Sequence, residues 1–177
     1  VPEQSIVSLA YLDGKVYGGT SIWGGLGIEP TQTEAKLLVH DTATGANQIV
    51  DLPTRGLRTA LAVTVGPDNR IWMVAEDHIL VYDPRLGRFV VDQKVFDELD
   101  IPSDDQVDAH DAILTVGADS MLYGTIHGSY LYRLDPGSLR VTILRRGNVH
   151  HVVTDEYGNL YYVENGYELH RLLVDDK

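Results

Sequence analysis

Cysteine is missing altogether. That excludes disulfide frameworks, thiolate metal sites and cysteine nucleophiles. Cations are scarce: 14 Lys+Arg stand against 26 Asp+Glu, a formal net charge of -12. No basic stripe offsets that negative field, so neither a nucleic-acid backbone nor an anionic membrane surface is expected as partner. No apolar run approaches the roughly 20 residues that a spanning helix needs. No secretory leader is legible, and the chain opens at Val1, as an excised or processed piece would. A Gly-x-Ser-x-Gly elbow is absent, and so is a phosphate-loop ending. Helical patterning is weak; only Thr33–Leu38 and Val95–Leu99 each admit one helical turn.

What is present is a repeat, the feature to be sought first because missing it mis-assigns the whole fold. The 177 residues, 44% apolar, suit one core and hold four copies of one pattern. Each copy has a short apolar strand, a turn, an apolar-aromatic strand, a polar loop and a third apolar strand. The turn and second strand read Asp13-Gly14-Lys15-Val16-Tyr17, Asp68-Asn69-Arg70-Ile71-Trp72, Asp119-Ser120-Met121-Leu122-Tyr123 and Tyr157-Gly158-Asn159-Leu160-Tyr161. Gly and Asn tolerate the positive φ of tight hairpins, and an apolar residue before Tyr or Trp suits a packed strand.

Third strands repeat as Leu37-Leu38-Val39-His40-Asp41, Ile79-Leu80-Val81-Tyr82-Asp83, Leu131-Tyr132-Arg133-Leu134-Asp135 and Leu169-His170-Arg171-Leu172-Leu173. Asp41, Asp83 and Asp135 recur, which marks them as turn residues rather than catalysts. Short strands such as Gln48-Ile49-Val50 and Arg140-Val141-Thr142-Ile143-Leu144 follow, giving four strands per copy. The aromatic anchors Tyr17, Trp72, Tyr123 and Tyr161 lie 55, 51 and 38 residues apart. A four-stranded unit of about 40 to 45 residues is the blade of a β-propeller. The excess length sits in two insertions, Ser21 to Glu34 and Val95 to Asp108.

The expectation is therefore an all-β chain, one β-propeller segment over 1–177, with blades near 5–56, 57–108, 109–147 and 148–177. The last blade is incomplete, and the blades read as consecutive members of a larger ring. A complete four-bladed ring, or a ring completed by a second copy, stands as the rival, since closure removes exposed edges.

The phrases Asp13-Gly14-Lys15-Val16-Tyr17 and Tyr157-Gly158-Asn159-Leu160-Tyr161-Tyr162 resemble the streptogramin-lyase-like, YVTN and NHL-like propellers of bacteria. Tyr17-Gly18-Gly19-Thr20-Ser21, Gly24-Gly25-Leu26-Gly27 and Glu34-Ala35-Lys36-Leu37 are similar to blades of large bacterial propellers, some attached to carbohydrate-active modules. The resemblance spans nearly the whole chain. It is specific for fold and loose for function, because propellers host hydrolases, lyases, sugar binders and scaffolds. It also implies a secreted setting.

Streptogramin lyases carry a His on one blade's first strand and a Glu at the end of its second, around a magnesium. By that resemblance His150 and Glu164 are the candidate catalytic pair, with Glu164 on the metal. They bracket one hairpin, so their side chains can approach on adjacent antiparallel strands. The other blades carry Leu61 and Ala112 at the His150 position, and Ala75 and Ile126 at the Glu164 position. His127 ends the third blade's second strand, facing the propeller mouth, and with His150 or His151 can assemble a transition-metal site. His110 leads into the same blade. Asp104, Asp105, Asp108 and Asp111 form a carboxylate-rich stretch of the kind that binds calcium, without the calcium-loop spacing. Thr20, Ser21 and Trp23 open the Gly-rich insertion, and Trp23 offers an aromatic plate for a sugar ring. Each candidate also has a plainer structural account: turn, rim strand, solvated loop or interblade packing.

Two functions follow. One is a non-catalytic module presenting a rim or channel surface to carbohydrate or protein, its partners being further blades or a second copy. It needs no resident cofactor. The other is a lyase of a polysaccharide or cyclic ester, assisted by a divalent cation (Mg or Ca), in which a His removes a proton that the cation acidifies.

Overall fold

A computed structural model describes residues 3–24, 29–96, 99 and 112–175. The chain divides into two compact units, Val1–Lys94 and Val95–Lys177. Each unit holds two antiparallel sheets whose strands pair in sequence order.

In the first unit, blade 1 is β1 (Ser5–Leu12), β2 (Lys15–Ser21), β3 (Lys36–Asp41) and β4 (Asn47–Asp51), and blade 2 is β5 (Ala62–Val65), β6 (Ile71–Ala75), β7 (His78–Asp83) and β8 (Arg88–Lys94). In the second, blade 3 is β9 (Ile113–Val116), β10 (Leu122–Ile126), β11 (Tyr130–Leu134) and β12 (Val141–Arg146). Blade 4 is β13 (Val149–Thr154), β14 (Leu160–Glu164) and β15 (Glu168–Leu172), three strands among the described residues. These antiparallel meanders, three of four strands and one of three, are the blades that the repeat predicts, and the fold is an all-β, β-propeller one. The Thr33–Leu38 stretch is corrected: Lys36 to Leu38 lie in β3, where Leu37 is fully buried and alternation rather than helical period governs. The Val95–Leu99 stretch, His110 and the aspartates at 104, 105, 108 and 111 lie wholly or partly outside the described residues.

Burial grades across each blade. The second strands β6 and β10 are buried at every position, because both their faces are covered. The outer strands β4 and β8 are mostly exposed and polar, as solvated edges must be.

The turns explain the repeated residues. Asp13 and Gly14 both adopt positive φ, 49° and 77°, in a two-residue hairpin that pairs Leu12 with Lys15. Blades 2 and 3 use a longer turn, closed by Gly66 N–H to Arg70 O and by Gly117 N–H to Met121 O, both 2.9 Å. Gly is required there for a second reason. A Cβ on Gly66 would lie 2.2 Å from Trp72 Cδ1, and one on Gly117 would lie 2.6 Å from Tyr123 Cε2. The anchor ring lies on the glycine, and its polar tip is caught by the same turn: Trp72 Nε1–H donates to Asp68 and Tyr123 O–H to Asp119, each 2.9 Å. Burial, then the Asp119 bond, pushes the Tyr123 phenol up to about 12.

Asp41, Asp83 and Asp135 close the third strands as the sequence implies. Each carboxylate accepts backbone N–H groups two and three residues on: Ala43 and Thr44, Arg85 and Leu86, Gly137 and Ser138. Asp83 is almost fully buried and also receives Arg70 Nε at 3.0 Å.

Candidate functional site

The sheet pairings fix which side chains share a face. In blade 4, Thr154 pairs with Leu160, Val153 with Tyr161 and Val152 with Tyr162. Continued regularly, that count sets His150 opposite Glu164. It does not continue regularly. His151 is bulged out of the ladder with φ 52°, so His150 pairs with Val163, and Val149 pairs with Glu164. One extra residue flips every side chain beyond it to the other face. His150 therefore shares a face with Val163 and Leu169, while Glu164 shares the opposite face with Val149 and Glu168.

On Glu164's side stands a compact polar group. Glu168 is its cross-strand partner, and His170 follows on the same face, paired with Tyr162. Ligand atoms of Glu164, Glu168 and His170 all lie within 4.8 Å of one another. His170 Nε2 is 3.5 Å from a Glu164 oxygen and 3.6 Å from a Glu168 oxygen. Its ring stacks on Tyr162 at 5.3 Å and 15°. From β12 of the preceding blade, Arg145 Nε donates to Tyr162 Oη at 3.2 Å and lies 3.7 Å from the other Glu164 oxygen. Below this group Val149, Val152, Leu160 and Tyr162 are buried against Tyr123 and Leu131 of blade 3. The cluster thus caps the seam between two consecutive blades. Sequence reading named Glu164 but not Glu168 or His170. The available signal was Glu-x-His on a strand paired to Glu164, since residues two apart share a face.

The other candidates distribute differently. His150 Nε2 meets Asn148 Oδ1, and its ring lies 6.0 Å from that of the exposed His151. His127 occupies the turn after β10 with φ 53°, and Ser129 Oγ donates to its carbonyl at 2.9 Å. That turn is tied to the start of β13 by Gly147 N–H to Ser129 O and Val149 N–H to Gly128 O. The backbone therefore brings the His127 turn beside the Asn148–His150 segment. Thr20 and Ser21 are fully buried. Thr20 Oγ accepts Lys36 N–H at 2.7 Å and bonds Gln4 Oε1 at 2.8 Å, and Ser21 Oγ accepts Trp23 N–H. Their side chains hold the insertion to blade 1 and offer no surface to a ligand. Trp23 is half-buried, and its carbonyl accepts Ser5 Oγ–H at 2.8 Å.

The magnesium implied by the resemblance needs His150 and Glu164 on one face. The bulge sets the two on opposite faces, so Glu164, the residue that the resemblance places on the ion, does not have His150 beside it on its face.

Comparison with known proteins gives the fold. No protein-family model matches the chain, and no curated protein does. Solved structures do. The chain is similar to the extracellular domain of a putative one-component system from B. thetaiotaomicron, at 14% identity and TM-score 0.57, over 97% of this chain and 22% of that one. It is similar to streptogramin B lyase at 12% identity and TM-score 0.57, over 97% of this chain and 70% of that one. It is also similar to virginiamycin B lyase from Staphylococcus aureus, at 12% identity and TM-score 0.55, over 96% and 70%. At these identities the likeness shows a β-propeller fold. The chain spans about a fifth of the first of these proteins.

Proposed function

We propose that the chain is a non-catalytic binding module of a larger β-propeller, and that what it binds through its sheet faces is protein. One observation carries this reading. In blade 2, the face turned to blade 1 is buried: Val63, Ile71, Met73, Leu80 and Tyr82 all join the first unit's core. The same face of blade 1 carries Ile6, Leu9, Tyr11 and Ile49, and all four are exposed, Leu9 at 62%. On blade 4, the face away from blade 3 exposes Val153 and Leu169, the latter at 71%. These are blade-packing positions with apolar side chains that are exposed among the described residues. Clusters of this kind mark interaction surfaces, and the chemistry that matches them is another sheet of the same repeat.

The likeness to extracellular domains of putative regulatory systems supports an extracellular setting. Lyase chemistry draws support from fold likeness alone, and the register sets His150 and Glu164 on opposite faces. The test is solution mass. The chain is expected to associate as concentration rises, and a Leu9→Lys, Leu169→Lys variant to stay monomeric with unchanged circular dichroism. A wild-type chain that stays monomeric at every concentration overturns the proposal. A glycan array read alongside, with retention lost in Trp23→Ala, would move the ligand from protein to carbohydrate.

A further inference from the structure

The carboxylates and imidazole capping the seam between blades 3 and 4 have a geometry that an ion pair does not require. We propose that Glu164, Glu168 and His170 form a site for a borderline divalent transition ion of the zinc class, cross-linking the two strands of the β14–β15 hairpin beside the seam. The inference stands apart from the module reading.

Four features support it. First, the two separations from the imidazole nitrogen suit one ion, with the ligand atoms of both carboxylates within 4.8 Å of each other. Bonds of about 2.1 Å in a tetrahedral site place ligand atoms about 3.4 Å apart, against 3.5 and 3.6 Å here. Second, the Nε2 atom of the half-exposed His170 is covered and makes no hydrogen bond among the described residues. It faces both carboxylates at more than hydrogen-bond length, the position of a ligand nitrogen. Third, the surroundings orient the set. Tyr162 stacks on the imidazole, Arg145 Nε lies 3.7 Å from one Glu164 oxygen while the other faces His170, and Asn165 Nδ2 donates at 3.0 Å to the Glu168 oxygen that faces His170. Outer contacts of this kind fix the direction of metal ligands. Fourth, the rigid ladder supplies all three ligands: Glu164 and Glu168 are paired directly, and His170 lies one same-face step along. Three protein ligands leave a fourth position for water.

The donor set selects the ion. An imidazole beside two carboxylates suits zinc, cobalt or manganese, whereas magnesium takes octahedral oxygen. The site shares Glu164 with the magnesium position that the resemblance implies, and differs in its other ligands, Glu168 and His170, and in its ion.

The test uses the whole chain stripped with EDTA. Zinc is titrated calorimetrically, magnesium in parallel, and thermal unfolding is followed with and without zinc. One zinc per chain is expected, bound far more tightly than magnesium, with a rise in Tm. Cobalt should give the visible absorption of a tetrahedral centre. His170→Ala and the near-isosteric Glu168→Gln should each weaken zinc by about tenfold or more, with circular dichroism unchanged, while His150→Ala leaves it intact. No saturable zinc binding, or binding that survives His170→Ala, overturns the proposal. So does loss of zinc in His150→Ala, which would restore the pair that the bulge separates.

Discussion

The two blade seams are built on different principles. Between blades 1 and 2 the side-chain contact is mainly apolar: Tyr17, Leu37 and Val39 meet Val63, Ile71, Met73, Leu80 and Tyr82, with Leu57 and Ala60 filling the approach and Ser8 Oγ accepting Val63 N–H at 2.8 Å. Between blades 3 and 4 the apolar patch is smaller, and its upper part is Arg145, Glu164, Glu168 and His170. A seam needed only for packing has no use for two carboxylates and an imidazole, because hydrophobic burial holds sheets together more cheaply than charge. The first seam shows what architecture requires. The surplus in the second is where function is to be sought.

The largest break of this comparison is expected in the first seam. Gly19 lets β2 approach the chain entering blade 2, and a Cβ there would lie 2.2 Å from Ala60 O. Gly19→Ala should cost about 3 kcal/mol, read as a lowered urea midpoint, with the second unit's near-ultraviolet signal lost later in the same titration. Coincident loss would show that the two units melt as one.

Acid comes next. Hydrogen bonds from Arg85 hold Asp83 below the ordinary aspartate value, with burial opposing and Arg70 adding to the lowering. Turn N–H bonds do the same for Asp41 and Asp135. Folded values lie below unfolded ones, so this stabilisation is complete above about pH 3.9 and is lost as pH falls further. Urea midpoints at pH 6 and pH 3 should differ, and Asp83→Asn should shrink the difference. An unchanged difference would remove Asp83 from the account.

A smaller effect, of opposite sign, lies inside blade 3. Met73 and Leu80 are paired in blade 2, and Gly124 and Tyr132 are paired in blade 3. The Tyr132 ring fills the space that Gly124 vacates, and a Cβ on Gly124 would meet its hydroxyl at 2.4 Å. That hydroxyl is fully buried without a hydrogen bond among the described residues. Tyr132→Phe should therefore stabilise by about 1 kcal/mol, and thermal unfolding would show it; a loss of stability would mean the hydroxyl has a partner. Smallest of all, Arg145→Met in the charged seam should cost under about 1 kcal/mol and do so less at high salt. A larger, salt-independent loss would make that seam architectural after all.

The fold was legible because its signals are local. Asp13-Gly14, the Gly–Asp turns and the anchor aromatics each act within one hairpin, so their spacing alone reveals the blades. The third-strand aspartates were legible for the same reason, since their partners lie two and three residues away. The candidate site was legible only at Glu164. Spacing sets His150 opposite it, and one bulged residue, His151, undoes that count; nothing in Val149-His150-His151-Val152 announces which residue leaves the ladder. Thr20 and Ser21 were misjudged in a similar way. Their place beside a Gly-rich insertion suggests a surface, but the continuation of β2 into the bridge between Ser21 and Thr59 carries them inside.

Within each sheet every strand after the first pairs with the one just before it in the sequence. The search that a nascent chain must make is thus short at each step: a hairpin closes, then the next lies down beside it. Loop-closure entropy is small for such neighbours, and assembly can proceed from the N-terminus as residues leave the ribosome. Within each unit the first finished blade then offers a template face to the second. A cell can lengthen such a protein by copying one more hairpin pair, with no earlier contact rewritten.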